Sequence, residues 1–224
     1  MKAFWSAVGA ILWKDILAEV RAKEIVLSAV VFVIIILVIF NFAFRPGPDL
    51  VTTVGPGVLW VAFTFAGVLG MNRTFILERD RGCLEGITLT PAPREALFAG
   101  KMLSIFLFMM VVELVSLPVF SAIFNLPMFP PRLMLVMFLG TVGFSAVGTV
   151  FSAIAVHSRA REIMLPILFF PVVVPIIISA VQASGVVLRS EPWGDLLTWV
   201  EIMLAFDVVF LVVSSLAFEH VIEQ

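Results

Sequence analysis

The stretch Ile25–Phe44, IVLSAVVFVIIILVIFNFAF, decides what kind of protein this is. It contains no charged residue. A helix of this length rises about 30 Å, which matches the hydrocarbon thickness of a lipid bilayer. The segment Arg45-Pro46-Gly47-Pro48 follows, and its two prolines cannot continue a helix. The stretch therefore predicts a transmembrane helix that ends at Phe44.

The rest of the chain has the same character. Its 224 residues are 62% hydrophobic and 13% charged, with a mean hydropathy of +1.16, and a water-soluble domain could not bury so much apolar surface. Residues 3–24 predict an amphipathic helix on the membrane surface. Six apolar stretches predict spans near residues 25–44, 53–72, 102–124, 133–156, 163–188 and 199–218. We expect an all-α integral membrane protein with an N-terminal surface (elbow) helix, forming one transmembrane domain over residues 1–224.

Two of these spans contain prolines that predict a bend in the helix. Gly55-Pro56-Gly57 opens the second span and predicts a bend. The fifth span contains Pro166, Pro171 and Pro175, each of which removes a helical hydrogen bond. We therefore expect the fifth span to be bent or broken.

The distribution of Lys and Arg predicts the orientation. The N-terminal segment, the connection between spans 2 and 3, and the connection between spans 4 and 5 together hold eleven basic residues. The opposite side holds three, Arg45, Arg132 and Arg189. Because basic residues near span ends resist translocation, both termini are predicted to be cytoplasmic.

Two acidic residues fall near the middle of spans, Glu113 in span 3 and Asp207 in span 6. An ionised carboxylate at that depth costs at least ~2.5 kcal/mol, so we expect neither to face lipid. Two hypotheses remain open for them. They are part of a polar translocation path or a proton-linked switch, or they are protonated or hydrogen-bonded groups that pack helices together.

No pattern of catalytic or metal-binding residues is present. His157 and His220 lie at predicted cytoplasmic ends of spans, and Cys83 is the single cysteine. We therefore expect no metal site and no tightly bound cofactor, and the topology offers no outer histidine to bind heme. The net charge of -2, with basic residues scattered among acidic ones, indicates no nucleic-acid partner.

Gly100-Lys101 superficially resembles a phosphate-binding loop. The earlier glycine of that motif would be position 95, which is Glu95, and Met102 replaces the Ser or Thr. The chain is therefore predicted not to be an enzyme, and ATP would act only through a partner subunit.

The polar connection between spans 2 and 3 contains the segment Glu78 to Pro91, ERDRGCLEGITLTP. It is charged at its start, apolar with helical potential in its middle, and ends at a proline. Such a segment on the cytoplasmic face suits docking of a soluble subunit, and an ordinary juxtamembrane loop would have a similar composition.

The pattern Glu78-Arg79-Asp80-x-Gly82-x-Leu84-Glu85, followed by Thr90-Pro91 and Gly100-Lys101, resembles the equivalent loop of type-2 ABC exporter membrane subunits. The resemblance implies six spans, an elbow helix, and a short coupling helix that fits a groove of an ATPase subunit. The implied coupling residues, which we call the coupling segment, are Glu78, Arg79, Asp80, Arg81, Gly82, Leu84 and Glu85.

Three further segments narrow the resemblance. They are Trp13-Lys14-Asp15 with Glu19-x-Arg21, Pro56 to Ala62 (PGVLWVA), and Leu165 to Pro175 (LPILFFPVVVP). Together they look like the heme exporter protein B family, CcmB, of cytochrome c maturation. The resemblance implies a permease subunit in the bacterial inner membrane that pairs with the ATPase subunit CcmA and associates with CcmC, CcmD and the heme chaperone CcmE.

Several functions stay open at this point. The machine could export heme, or it could drive release of the heme-loaded chaperone without moving heme through this subunit. The alternatives are a type-2 ABC permease for another substrate, such as a lipid-linked glycan or a drug, and a membrane scaffold with no ATPase partner. Because ABC exporters need two membrane halves, two copies of the chain are expected per complex.

Overall fold

The computed structural model describes residues 2–21, 23–44, 47–80, 93–126, 129–156 and 161–222. Within these ranges, the description excludes the side chains of residues 2, 48, 72–80, 156, 161–162 and 219–222. The described residues form seven α-helices: α1 (Lys2–Arg21), α2 (Glu24–Phe44), α3 (Pro48–Asp80), α4 (Arg94–Phe124), α5 (Pro131–Val156), α6 (Arg161–Leu188) and α7 (Trp193–Ile222).

Six of these helices, α2 to α7, are long and apolar enough to cross a membrane. This confirms the predicted all-α membrane architecture. Helix α1 precedes them, as the sequence predicts for an elbow helix.

The helices extend beyond the predicted spans at several ends. Helix α3 continues to Asp80, α4 already begins at Arg94, and α7 covers 193–222. The physical reason is that hydropathy detects only the part of a helix that needs lipid. Polar sequence without Gly or Pro continues the same hydrogen-bonded backbone beyond that part.

Ring contacts show which helix ends lie together. Phe98 near the start of α4 contacts Phe218 near the end of α7, with ring centroids 5.5 Å apart. Phe40 in the last turn of α2 lies 5.9 Å from Phe124 at the end of α4. The end of the bundle that contains Phe98 and Phe218 is called the elbow end, because α1 packs there. The opposite end, which contains Phe40 and Phe124, is called the far end.

Helix α5 lies at the centre of the bundle. In its apolar window 78% of the residues are buried, against 22% in α7. Its small side chains Thr141, Ser145 and Thr149 are fully buried, one turn apart along a single face. Small residues at this spacing let neighbouring helices approach closely, which is why α5 packs against α4, α6 and α7.

Helix α6 contains all three predicted kink prolines. It is one uninterrupted helix through Pro166, Pro171 and Pro175, so it is not broken. The hydroxyl of Ser179 donates a hydrogen bond of 2.9 Å to the carbonyl oxygen of Pro175. Helix α3 likewise continues through Pro56. A bend of the axis at these prolines stays a prediction.

Candidate functional site

A buried ionic cluster joins α1 to α4 at the elbow end. The Lys101 Nζ lies 3.1 Å from Asp15 Oδ2 and 3.3 Å from Oδ1, and the Ser104 hydroxyl lies 2.9 Å from Oδ2. The exposed fraction is 1% for Lys101 and 7% for Asp15. We call these three residues the Asp15 cluster. Lys14 adds a cation at 3.2 Å on the exposed side of Asp15.

The backbone geometry allows this contact. Gly100 faces α1, and a Cβ atom built on it would lie 2.8 Å from Ile11 Cγ2. A larger residue at position 100 would require the Ile11 side chain, or the helix that carries it, to move. The close approach brings Lys101 and Ser104 within reach of Asp15, so charge and hydrogen bonding compensate the cost of burial.

The sequence analysis missed this cluster. Asp15 appeared there only within the segment Trp13-Lys14-Asp15, and Lys101 only in the pair Gly100-Lys101. Val8, Ile11 and Asp15 follow one another at helical spacing, and in the structure they share the face that packs inward. Two sequence features could have indicated the cluster: a carboxylate on the apolar face of the elbow helix, and a lysine at the start of a span.

One turn beyond Asp15, Glu19 is partly buried. Burial, and to a lesser extent the charge of Asp15, raises the pKa of the Glu19 carboxyl from 4.5 to about 7. Lys23 lies four residues further along the chain. The folded protein therefore holds a proton on Glu19 in a pH range where the unfolded chain releases it.

This shift predicts a pH dependence of stability. Because the folded state binds the extra proton, the free energy of unfolding should fall as pH rises from about 4.5 to about 7 and then level off. We expect a Glu19→Gln variant to lose this component. The measurement is the thermal midpoint of both proteins in detergent between pH 5 and 8. Parallel curves for the two proteins would contradict the assignment to Glu19.

Glu113 lies inside the bundle between α4 and α5. Its side chain is fully buried, and the Thr141 hydroxyl donates a 2.6 Å hydrogen bond to Oε1. The other oxygen, Oε2, has no hydrogen-bond partner among the described residues. Glu113 therefore does not face lipid.

Asp207 lies on α7 and is 4% exposed. A Cβ atom on Gly143 of α5 would collide with its carboxylate and with Ile176 of α6, so Asp207 occupies the space that the glycine leaves. Neither of its oxygens has a hydrogen-bond partner within the described part of the chain.

The two acids are not brought together. Glu113 contacts α5 at Thr141, whereas Asp207 contacts it at Gly143. Positions two residues apart lie about 200° apart around a helix, so the carboxylates touch opposite sides of α5. They lie at similar depth as two separate polar contacts, and they do not form a catalytic pair.

The contact between Glu113 and Thr141 yields a prediction. Thr141→Val should lower the free energy of unfolding by about 1–3 kcal/mol, because it leaves a buried carboxyl oxygen without its donor. Thr149→Val is the matched control, since the partner of the Thr149 hydroxyl among the described residues is the Ser145 carbonyl of its own helix. Thermal unfolding in detergent measures both changes. Equal midpoints for the two variants would show that the contact contributes nothing.

Trp60 ties α3 to α6 in the core. Its indole Nε1 donates a 2.9 Å hydrogen bond to the Ser184 hydroxyl, and both residues are buried. Trp60 belongs to the segment Pro56 to Ala62 noted in the sequence. The hydrogen bond satisfies the one polar atom of the indole ring in an apolar interior.

At the far end, Arg132 joins the start of α5 to the connection between α6 and α7. Its guanidinium donates a 3.2 Å hydrogen bond to the Glu191 carbonyl and lies 4.8 Å from the centroid of the Trp193 ring. Arg189 forms a 2.6 Å ion pair with the Glu191 carboxylate. Two of the three basic residues counted on this side thus order the connection before α7.

The coupling segment lies at the edge of what the structure describes. The backbone of Glu78, Arg79 and Asp80 forms the last turn of α3, whereas Arg81, Gly82, Leu84 and Glu85 lie outside the described residues. The description resumes at Pro93, directly before α4. His157 and Cys83 also lie outside it, as does the side chain of His220. In the described part, no cluster of three His, Cys, Asp or Glu side chains could hold a metal ion.

Comparison with known families decides where the chain belongs. The family model described as CcmB protein matches residues 6–224. The chain belongs to the CcmB family. The match includes α1 with Asp15, the coupling segment and all six spans, so the resemblance found in the sequence is confirmed.

Relatives named Heme exporter protein B align with most of the length of this chain. Proteins named Heme exporter protein B from Bradyrhizobium diazoefficiens and Paracoccus denitrificans are both 28% identical, over 95% and 93% of this chain and 95% and 94% of their own. One from Pseudomonas aeruginosa is 29% identical over 80% of each chain. As a CcmB family member with six apolar helices, the protein is a multi-pass membrane protein of a transporter permease type.

Proposed function

We propose that this chain is the membrane subunit of an ABC transporter complex that handles heme in c-type cytochrome biogenesis. The observation that carries the proposal is the CcmB match over residues 6–224, joined to relatives named Heme exporter protein B. Six membrane-spanning helices with an elbow helix support the transporter part of the proposal.

In this proposal, both termini and the coupling segment face the cytoplasm of a bacterial inner membrane. A separate ATPase subunit, corresponding to CcmA, docks on the coupling segment, and the chain itself hydrolyses no ATP. CcmC, CcmD and the heme chaperone CcmE are the further partners. Two copies of this chain, each a single transmembrane domain, supply the two membrane halves that an ABC exporter needs.

The Asp15 cluster suits the first step of force transmission. Helix α4 begins at Arg94, and Lys101 follows two turns later, where it is paired with Asp15. The elbow helix is thereby fixed to the cytoplasmic start of α4. Movement of the coupling segment would displace α1 and α4 together as one body.

From α4 the displacement can reach the far end through α5. Glu113 joins α4 to α5 in the middle of the bundle, and Arg132 at the start of α5 contacts the connection before α7. Together with the Asp15 cluster, these contacts connect α1 to α4, α4 to α5, and α5 to the connection before α7. A two-position rearrangement of α5 would then alter the outer connections.

Heme enters the proposal as a substrate or as the cargo of a partner. Among the described residues, no group of three His, Cys, Asp or Glu side chains could hold a metal ion, and both histidine side chains lie outside the description. Release of a heme-loaded chaperone by outer-face movement and passage of heme between helices are both compatible with this. The packing hypothesis for Glu113 and Asp207 fits their separation on opposite sides of α5.

Deletion of the gene tests the function. We expect loss of covalently attached heme from c-type cytochromes, measured by heme-stained gels of membrane fractions, and full recovery with the wild-type gene. Normal cytochromes in the deletion strain would contradict the proposal and would favour a permease for another substrate. A second readout, the rate of total heme synthesis, should be unchanged.

A further inference from the structure

A groove on the lipid-facing surface lies between α1, α2 and α4. Its volume is about 460 Å³, and its lining is apolar except at one end. The polar end carries Glu19, Lys23 and Ser104, directly beside the Asp15 cluster. The groove shares Ser104 with the Asp15 cluster, but its lining includes no residue of the coupling segment and neither Glu113 nor Asp207.

The groove is elongated along the helix axes. On α4 the lining residues run from Ser104 through Leu107 and Val111 to Val115, at helical spacing on one face. At 1.5 Å per residue this stripe is about 16 Å long. That is roughly half of the ~30 Å hydrocarbon thickness, which is the depth of one leaflet.

The outer rims of the groove are open to the bilayer. Leu27 on α2 is 63% exposed, and Val111 and Val115 on α4 are 44% and 48% exposed. In a membrane these surfaces contact lipid tails. A slot with the length of one leaflet, apolar walls and a polar end matches a single acyl chain that is attached to a headgroup.

The charges at the polar end select the headgroup. Lys23 is exposed at the corner between α1 and α2, where headgroup phosphates lie. Burial and the charge of Asp15 raise the pKa of Glu19 to about 7. Near neutral pH the Glu19 carboxyl is therefore only partly ionised, and it only partly cancels the positive charge of Lys23. A cation at the polar end favours an anionic phospholipid over a zwitterionic one.

We propose that this groove is a binding site for an anionic phospholipid, with one acyl chain between α2 and α4 and the phosphate at Lys23. The lipid comes from the leaflet in which α1 lies. Seated there, it fills the space between the elbow helix and the bundle and holds α1 in the orientation that the Asp15 cluster requires. The proposal does not depend on heme handling.

The test uses the full chain in nanodiscs of phosphatidylcholine that contain a phosphatidylglycerol analogue with a photoreactive group in its acyl chain. After illumination, mass spectrometry locates the label. We expect the label on α2 and α4 peptides that line the groove. We also expect Lys23→Gln to lower the preference for phosphatidylglycerol over a phosphatidylcholine analogue about fivefold.

A second variant tests whether the lipid occupies the groove by filling the groove with a bulky side chain. Val111→Trp should abolish the label in the groove, whereas Val208→Trp, at a 62% exposed position on α7, should not change it. Size-exclusion chromatography shows that each variant is folded before it is compared. The proposal would be overturned if peptides of α7 carried as much label as peptides of the groove, or if Lys23→Gln left the lipid preference unchanged.

Discussion

The Lys101→Met variant is expected to unfold at a much lower temperature than the wild type. The substitution keeps the apolar stem but removes the cation that neutralises Asp15, which is 7% exposed. Breaking a buried ion pair from one side costs about 3–5 kcal/mol, because the other charge stays buried, here with only the exposed Lys14 and the Ser104 hydroxyl beside it. For a chain of this size we expect the thermal midpoint to fall on the order of 10 °C.

Two controls separate the ion pair from packing. The double variant Asp15→Leu/Lys101→Met removes both charges and should recover most of the lost stability, because an apolar replacement of a buried pair is often neutral. Lys14→Met removes the exposed cation beside Asp15 and should change stability by less than about 1 kcal/mol. If single and double variants were equally unstable, the charge of Asp15 would not be the cause.

Charge reversal in the coupling segment is expected to abolish the output of the complex while the chain still inserts. The Arg79→Glu/Arg81→Glu variant should leave ATP hydrolysis by the partner subunit uncoupled from cytochrome maturation. The reason is that reversing two charges removes whatever charge complementarity the docking surface has, and like charges that face each other across an interface cost several kcal/mol. The measurement compares covalent cytochrome c with ATPase activity in the same membranes.

A control at the same end of the bundle guards against a general charge effect. Arg21→Glu reverses an exposed cation at the end of α1, outside the coupling segment. It should leave cytochrome levels near those of the wild type. Full activity of the Arg79→Glu/Arg81→Glu variant would favour a membrane scaffold without an ATPase.

The membrane architecture could be predicted from the sequence because lipid imposes a simple rule. A stretch such as Ile25–Phe44 has no alternative to a spanning helix when its backbone groups cannot reach water. The elbow helix was predicted from its periodic apolar face. The ends of α3 and α4 were not, because helix continues into polar sequence such as Arg73–Asp80 where hydropathy gives no signal.

The contacts between helices could not be predicted from the sequence. That Lys101 pairs with Asp15 depends on how closely α1 and α4 approach at Gly100, which is a property of three-dimensional packing. Likewise, Glu113 and Asp207 look equivalent in sequence, yet they contact opposite sides of α5. Pairing across 86 residues leaves no periodic signal in a single chain.

The central claim is that this chain is the membrane half of an ATP-driven machine, and purification of the tagged chain in a mild detergent tests it most directly. The account predicts that an ATPase subunit elutes with it in equal amount and hydrolyses ATP, and that the Arg79→Glu/Arg81→Glu variant changes this association or its coupling. A chain that elutes without any ATPase, yet fully restores c-type cytochromes in the deletion strain, would contradict the account.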